Sequence, residues 1–322
     1  MARPSSPTRL PAVLRAFKHR NFQLFFSGQL LSLIGTWMQN VAQSWLVYRL
    51  TGSSLLLGTV GFAGQIPMLL LAPIGGAVAD RHSRHRIIIA TQTSSMVLAL
   101  LLAALTLKGH VQVWQIVTLA VLLGVVNAFD IPARQAFIVQ MVGKQDLLNA
   151  IALNSSMFNA ARVIGPAVAG ILVASVGEGW CFLVNGVSYL AVIAGLLMMR
   201  LEPRPVREAH TSAVVELLEG IRFVRHAMPV RVLLMLLGLV SLIGMPYTVL
   251  MPIFADRILY GGARGLGLLM GATGLGAAPS GSALRYPTDC AGRLSDRAEL
   301  LGGLGARAAR RDRHHSREDR RR

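Results

Sequence analysis

Charge is what this sequence has least of. Of its 322 residues only 15% are Asp, Glu, Lys or Arg, against about 25% in an ordinary soluble domain, while 53% are hydrophobic and the mean hydropathy is +0.53. That balance excludes a soluble enzyme as the default and points to a chain that faces lipid. Cysteine is scarcer still. Cys181 lies inside an apolar run and Cys290 far from it in a basic stretch, so neither a disulfide framework nor a cysteine metal site can be built. Acidic residues are outnumbered, 15 against 32 Lys and Arg, for a formal charge of +17. A basic excess marks a nucleic-acid binder when it forms a patch. Here residues 1–278 hold 21 basic and 9 acidic groups confined to short gaps between apolar runs, so no nucleic-acid partner is expected. No G-x-S-x-G, H-E-x-x-H or phosphate-binding P-loop is present, and the expectation is a non-enzyme with no cofactor, no metal and no ATP-driven motor.

What the chain has in abundance is long apolar runs. A helix needs about 20 apolar residues to cross about 30 Å of hydrocarbon. Runs of that kind lie near residues 22–48, 55–79, 87–107, 114–141, 149–176, 180–199 and 232–255, and an eighth starts at about Arg264 and gives way at 279 to a polar, Arg-rich stretch. The first is too long for a signal-peptide core and lacks a small-residue cleavage site, so it is expected to stay in the chain. With the N-terminus on the cytoplasmic side, the gaps facing the cytoplasm collect 16 basic residues and the opposite gaps four, Arg49, Lys108, Arg257 and Arg264. The positive-inside rule supports that orientation and a multi-pass protein of the cell (inner) membrane.

Sliding the chain against itself by 209 residues aligns 24–64 with 233–273 without gaps at 11 of 41 positions. Ser32, Leu33, Ile34 and Gly35 recur as Ser241, Leu242, Ile243 and Gly244, Gly52 as Gly261, and Leu57-Gly58 as Leu266-Gly267. The seventh span replays the first. The expected organisation is a cytoplasmic N-terminus (1–20), a first six-helix bundle (21–200), a cytoplasmic linker (201–230), a partial second bundle of spans seven and eight (231–278), and a basic, disordered or out-of-frame tail (279–322). Two parallel repeats joined by such a linker are how transporters with a site between two bundles are built.

Short motifs sharpen this. The gap between spans two and three reads Gly76-Ala-Val-Ala-Asp80-Arg81-His-Ser-Arg84-His-Arg86, which resembles the G-x-x-x-D-R-x-G-R-R loop of the major facilitator superfamily, with Ser83 in place of its Gly. Span five carries Gly165-Pro166-Ala-Val-Ala-Gly170, similar to the antiporter-type G-P-x-x-G-G motif with Ala169 in place of one Gly. The wording of HRNFQLFFSGQ, NAFDIPARQAF and NAIALNSSMFNAARVIGPAVAG resembles the enterobactin (siderophore) exporter branch, which also holds macrolide-efflux-like members. The resemblance covers roughly residues 17–277. It implies an all-α membrane protein of the major facilitator fold, exporting a small amphipathic solute with protons as coupling ion, and a latch role for the Asp80 loop. The positive-inside reading makes the same Arg81, Arg84 and Arg86 a topology anchor.

Charges within a span cost about 2.5 to 3.5 kcal/mol each on insertion scales and so need a partner or a wet cavity. Asp130 and Arg162, 16 residues either side of Asp146 in the turn, are expected to meet as an ion pair between spans four and five, with Arg134 one turn from Asp130. The alternative is that span four ends at Phe129 and Asp130 caps it. Asp130, Arg134 and Arg162 are the transport or coupling candidates, or a lock between helices. Gln29, Gln39, Asn40 and Gln43 of span one and Gln65 of span two must hydrogen-bond inward, either lining a substrate path or gluing helices together.

After about residue 277 the repeat, the apolar content and the family wording fail together, which is the pattern of a truncated or frame-shifted coding region. Alternating access needs two bundles, so the chain by itself is expected to be an inactive or incomplete exporter. The competing expectation is a non-transporting scaffold or half-transporter that needs a partner.

Overall fold

The computed structural model describes residues 12–143, 145–200, 222–244 and 246–276, and all of these fall in one compact unit. A short 3-10 helix, Ala12–Lys18, leads into α1 (Arg20–Thr51), α2 (Ser54–Arg81), α3 (Arg84–Leu107), α4 (Val113–Val142), α5 (Leu147–Val176) and α6 (Glu178–Leu197). Residues 222–226 are helical, and α7 (Met228–Gly244), α8 (Pro246–Ile253), a π-helical turn (Phe254–Ile258) and α9 (Gly262–Gly276) follow. The described residues form helices and no strands. Five helices, α2 to α6, are long and apolar enough to cross a membrane. At 32 residues α1 has the length as well, and its Gln, Asn and Arg side chains keep its hydropathy lower.

Turn chemistry sets the boundaries. α1 stops where Gly52 takes a left-handed φ of 60° and donates its N–H to the Tyr48 carbonyl at 2.7 Å, a conformation glycine adopts without a Cβ penalty. Ser53 then caps α2 through its hydroxyl, which accepts from the Leu56 N–H. Around Gly261, the residue 209 on from Gly52, the neighbours Tyr260 and Gly262 have positive φ of 51° and 55°, so the second copy also turns sharply there. The stretch expected as one seventh span, 232–255, is instead three segments, α7, α8 and the π-helical turn, with Met245 between the first two outside the described residues. The physical reason is proline: Pro246 and Pro252 stand where the first copy has Trp37 and Gln43, and each removes a backbone donor and crowds the preceding turn.

The helices do not pack in chain order. α1 lies against α5 and α6, α3 against α4 and α6, α2 against α4, and α5 against α9. Two apolar clusters fill the bundle. One, toward the Arg20 end of α1, holds Phe22, Phe25, Ile88, Phe137 and Leu196. The other, toward the Gly52 end, holds Met38, Leu46, Leu102, Ile116 and Phe182. Between these clusters lie buried polar residues of α1, α3, α4 and α6, among them Gln29, Ser32, Thr91, Gln92, Asp130 and Asn185, and they define the site. The expected tail after 278 and most of the expected linker, 201–221, lie outside the described residues.

Candidate functional site

Within the bundle, Asp130 is 3% exposed although it is a carboxylate in the middle of a 30-residue apolar helix. α4 runs through it to Val142, so the alternative in which Asp130 caps the helix does not hold. Three groups account for the burial. Arg134, one turn along α4, donates from Nη2 to Oδ2 at 2.7 Å. From α3, Thr91 Oγ1 and Gln92 Nε2 donate to Oδ1 at 2.7 and 3.0 Å. A carboxylate this deep is tolerable only when its charge is paired and its lone pairs are filled. Both conditions are met here.

The expected ion pair between Asp130 and Arg162 is not formed. α5 packs on α1 and α9 rather than face to face on α4, so equal depth on consecutive helices does not bring the two charges together. Arg162 instead lies over Trp37 of α1, its guanidinium carbon 5.8 Å from the ring centroid, a cation–π contact that lets a cation sit beside apolar surface. Trp37 in turn packs edge-on against Phe158 of α5 at 5.6 Å.

The amide candidates divide. Gln39 is buried and accepts from Asn185 Nδ2 of α6 at 2.7 Å, which ties α1 to α6. Gln29 is 2% exposed and its Oε1 has no partner, a condition it shares with Gln92 Oε1. Asn40 and Gln65 are exposed and Gln43 is half-buried. The five therefore do not form one lining. The buried Asn185, with Ser188 and Tyr189 of α6 and Thr36 of α1, extends the polar layer from the Gln39 side.

At the Arg20 end, the loop motif stitches helices of the first bundle. Arg84 donates to Asp80 at 3.2 Å, to the Ala79 carbonyl at 3.3 Å and to the Ala136 carbonyl of α4 at 3.1 Å. His85 meets the Leu196 carbonyl of α6 at 2.8 Å. Asp80, Arg81 and Arg86 are exposed, and Gly76 is half-buried with open space around its α-carbon. The 3-10 helix is held to the α4–α5 turn by His19 on Asp146 at 3.0 Å and by the Ala16 N–H donated to Asn149 at 2.8 Å.

The span-five motif does two jobs. Gly165 faces α1 at Ile34 and Trp37. On Gly170 a Cβ would come within 2.9 Å of the Gly267 α-carbon, and on Gly267 within 2.7 Å of the Pro166 carbonyl oxygen. The glycines permit backbone contact between α5 and α9, the small-residue packing on which helix association in lipid depends. The sequence had singled out this motif on α5. Its partner on α9 was legible only as a repeat match, Gly58 with Gly267.

Sequence reasoning missed Thr91 and Gln92, the two α3 residues that satisfy Asp130. Their signal was the same as that of the α1 amides, polar side chains inside an apolar run. It also missed the Gly52 end, where Tyr48 donates to Asp256 at 2.9 Å and Arg49 makes a two-pronged pair with Glu178 at 2.7 and 3.1 Å.

A helical bundle with spanning-length apolar helices, an internal repeat and a buried polar layer defines a multi-pass membrane protein of the transporter class. The family model of transmembrane secretion effectors in the major facilitator superfamily matches residues 12–288, and the chain belongs to that family. It is 27% identical over 247 residues to the Staphyloferrin A transporter of Staphylococcus aureus (strain NCTC 8325 / PS 47), covering 76% of this chain and 62% of that protein. It is 29% identical over 201 residues to the Multidrug efflux pump Tap of Mycolicibacterium fortuitum, covering 60% and 49%. To the Enterobactin exporter EntS of Escherichia coli O1:K1 / APEC it is 26% identical over 262 residues, covering 81% and 62%. The chain thus spans about half to three-fifths of the length of these curated relatives.

Proposed function

We propose that this chain carries the first bundle and the opening helices of the second bundle of an exporter for a small amphipathic solute, siderophore-like or drug-like, driven by protons through alternating access. The N-terminus lies in the cytoplasm and the protein sits in the inner membrane. The observation that carries the reading is the Asp130–Arg134 pair, buried with Thr91 and Gln92 in the polar layer between two apolar clusters. An ionisable group held inside a spanning bundle is the feature that proton relays and substrate pathways require. The names of the relatives support a solute of the siderophore or drug type. Arg162, over Trp37, and the buried Gln29 are further candidates, and Asp80 paired with Arg84 holds the loop.

Transport by rocking of two bundles needs both, and the described residues supply one bundle with four helical segments of the next. Residues 12–276 by themselves are therefore expected not to move solute. The test is accumulation of a macrolide, a catecholate siderophore and a fluorescent amphipathic cation in a host stripped of its major efflux pumps. The chain is expressed alone and joined after residue 276 to the second-bundle helices of a full-length relative. The expected result is no change for the chain alone and a several-fold fall in accumulation for the joined protein, reversed by a protonophore and by Asp130→Asn. Efflux by the chain alone, or efflux by the joined protein that ignores both treatments, would overturn it.

One observation favours a second reading. Residues 231–241 of α7 are all exposed, an apolar helix with no covered face, as expected for a half-transporter or scaffold that a partner completes. Cross-linking in the membrane to a discrete dimer would support that reading over the first.

A further inference from the structure

We propose that the Tyr48–Asp256 hydrogen bond is a latch that holds the outer mouth between the two repeats shut, with Arg257 on the Gly52 carbonyl as its second point. Outer here means the Gly52 end of α1. The latch rests on the two-bundle reading only for its purpose, since its closure can be measured without transport.

The two contacts cross between the copies of the repeat. Tyr48, 7% exposed at the end of α1, donates its hydroxyl to Asp256 Oδ2 at 2.9 Å in the π-helical turn. Arg257 Nη2 lies 3.5 Å from the Gly52 carbonyl oxygen. The offset of 209 that aligns the repeats places Tyr48 on Arg257 and Gly52 on Gly261. The donor in each contact therefore occupies the same position of its own copy and reaches into the other copy. Two equivalent ends meeting in this crossed way make a contact that opens when one copy rotates against the other.

The backbone is specialised for the contact. In the second copy the helix passes into a π-helical turn, Phe254–Ile258, which turns Asp256 and Arg257 away from the register a continuous α-helix would give them. Just beyond it Tyr260 holds a φ of 51°, uncommon for a side chain of that bulk. On the first-copy side the support is rigid. Arg49, next to Tyr48, is clamped in two places by Glu178, which is 7% exposed in its side chain and begins α6. The latch borders a partly open hollow of about 310 Å³ lined by Trp45, Tyr48, Arg49, Gly52 and Asp256. A hydrogen bond to a charged carboxylate shifts an equilibrium by about tenfold or more, enough to bias a mouth between shut and open.

The test reads access to that hollow in protein reconstituted into nanodiscs. Trp45→Cys is the reporter, in a Cys290→Ser background. Cys181 is buried and is left in place. A soluble, charged maleimide is expected to label the reporter about tenfold faster when Tyr48→Phe or Asp256→Asn is added, and by a smaller factor with Arg257→Ala. Labelling within twofold of the parent in both of the first two variants, with helicity unchanged by circular dichroism, would overturn the latch. A second measurement guards against misfolded variants. Tyr48→Cys with Asp256→Cys, treated with a short bifunctional thiol reagent, should cross-link in most molecules, and failure to cross-link would equally overturn the proposal.

Discussion

α1 and the α7–α8 stretch align in the internal repeat, yet their surroundings differ in every respect. α1 buries 14 of its 32 residues, among them Phe22, Phe25, Met38 and Leu46, because α5 and α6 lie along it. Residues 231–241 of α7 are exposed on every face. The first copy is one long helix and the second is broken by prolines. The repeat thus preserves the apolar pattern and the turn at its end, whereas burial is conferred by neighbouring helices. In lipid this is expected, because apolar side chains gain little by leaving hydrocarbon and association depends on packing and polar contacts.

The contrast can be broken or sharpened by substitution. The largest effect is expected inside the first bundle, where Asp130→Leu would leave the half-buried Arg134 without its partner. A loss of about 3 kcal/mol, typical of a broken buried pair, should appear as a lowered unfolding midpoint in detergent. Next comes a direct comparison of the two copies. Leu46→Ala in α1, at 0% exposure, is expected to cost about 2 to 3 kcal/mol through lost contacts and a cavity. Leu233→Ala in α7, at 68% exposure, should fall within about 0.5 kcal/mol of the parent. Equal costs would refute the contrast. Gly267→Leu is expected to cost about 1 to 3 kcal/mol by forcing α9 off α5, detected as faster proteolysis of residues beyond Gly262 while the first bundle stays protected. A modest effect is expected at the Gly52 end. Glu178→Gln keeps the side chain's shape and loses the charge that holds the half-exposed Arg49, for about 1 kcal/mol in the same unfolding assay.

Much of this could be read from residues alone. Lengths of apolar runs placed α1 to α6 because a bilayer demands about 20 residues per crossing. The span-five motif and the buried Asp130 were also visible. The partner of Asp130 was not. The expectation paired it with Arg162 by matching depth on consecutive helices, but depth says nothing about azimuth, and α4 turns Asp130 toward α3. Arg134, a candidate placed one turn from Asp130 but not paired with it, is the actual partner because i and i+4 share a helix face by construction. Gln39 and Asn40 show the same limit: adjacent in sequence, they lie about 100° apart around the helix, so one meets Asn185 and the other is exposed.

By itself, then, the sequence determined what depends on composition and local periodicity, an all-α chain with spanning-length helices α1 to α6, while its motifs and internal repeat pointed to the transporter class. Only the tertiary structure decided which helices are neighbours, and with that which charge neutralises Asp130, which amides are spent as glue, and that Tyr48 reaches Asp256 across 208 residues. The reason is that hydrophobic length is a property of one helix against the bilayer. Polar pairing in a dry interior is a property of two helices in a particular rotation, and no single segment encodes it.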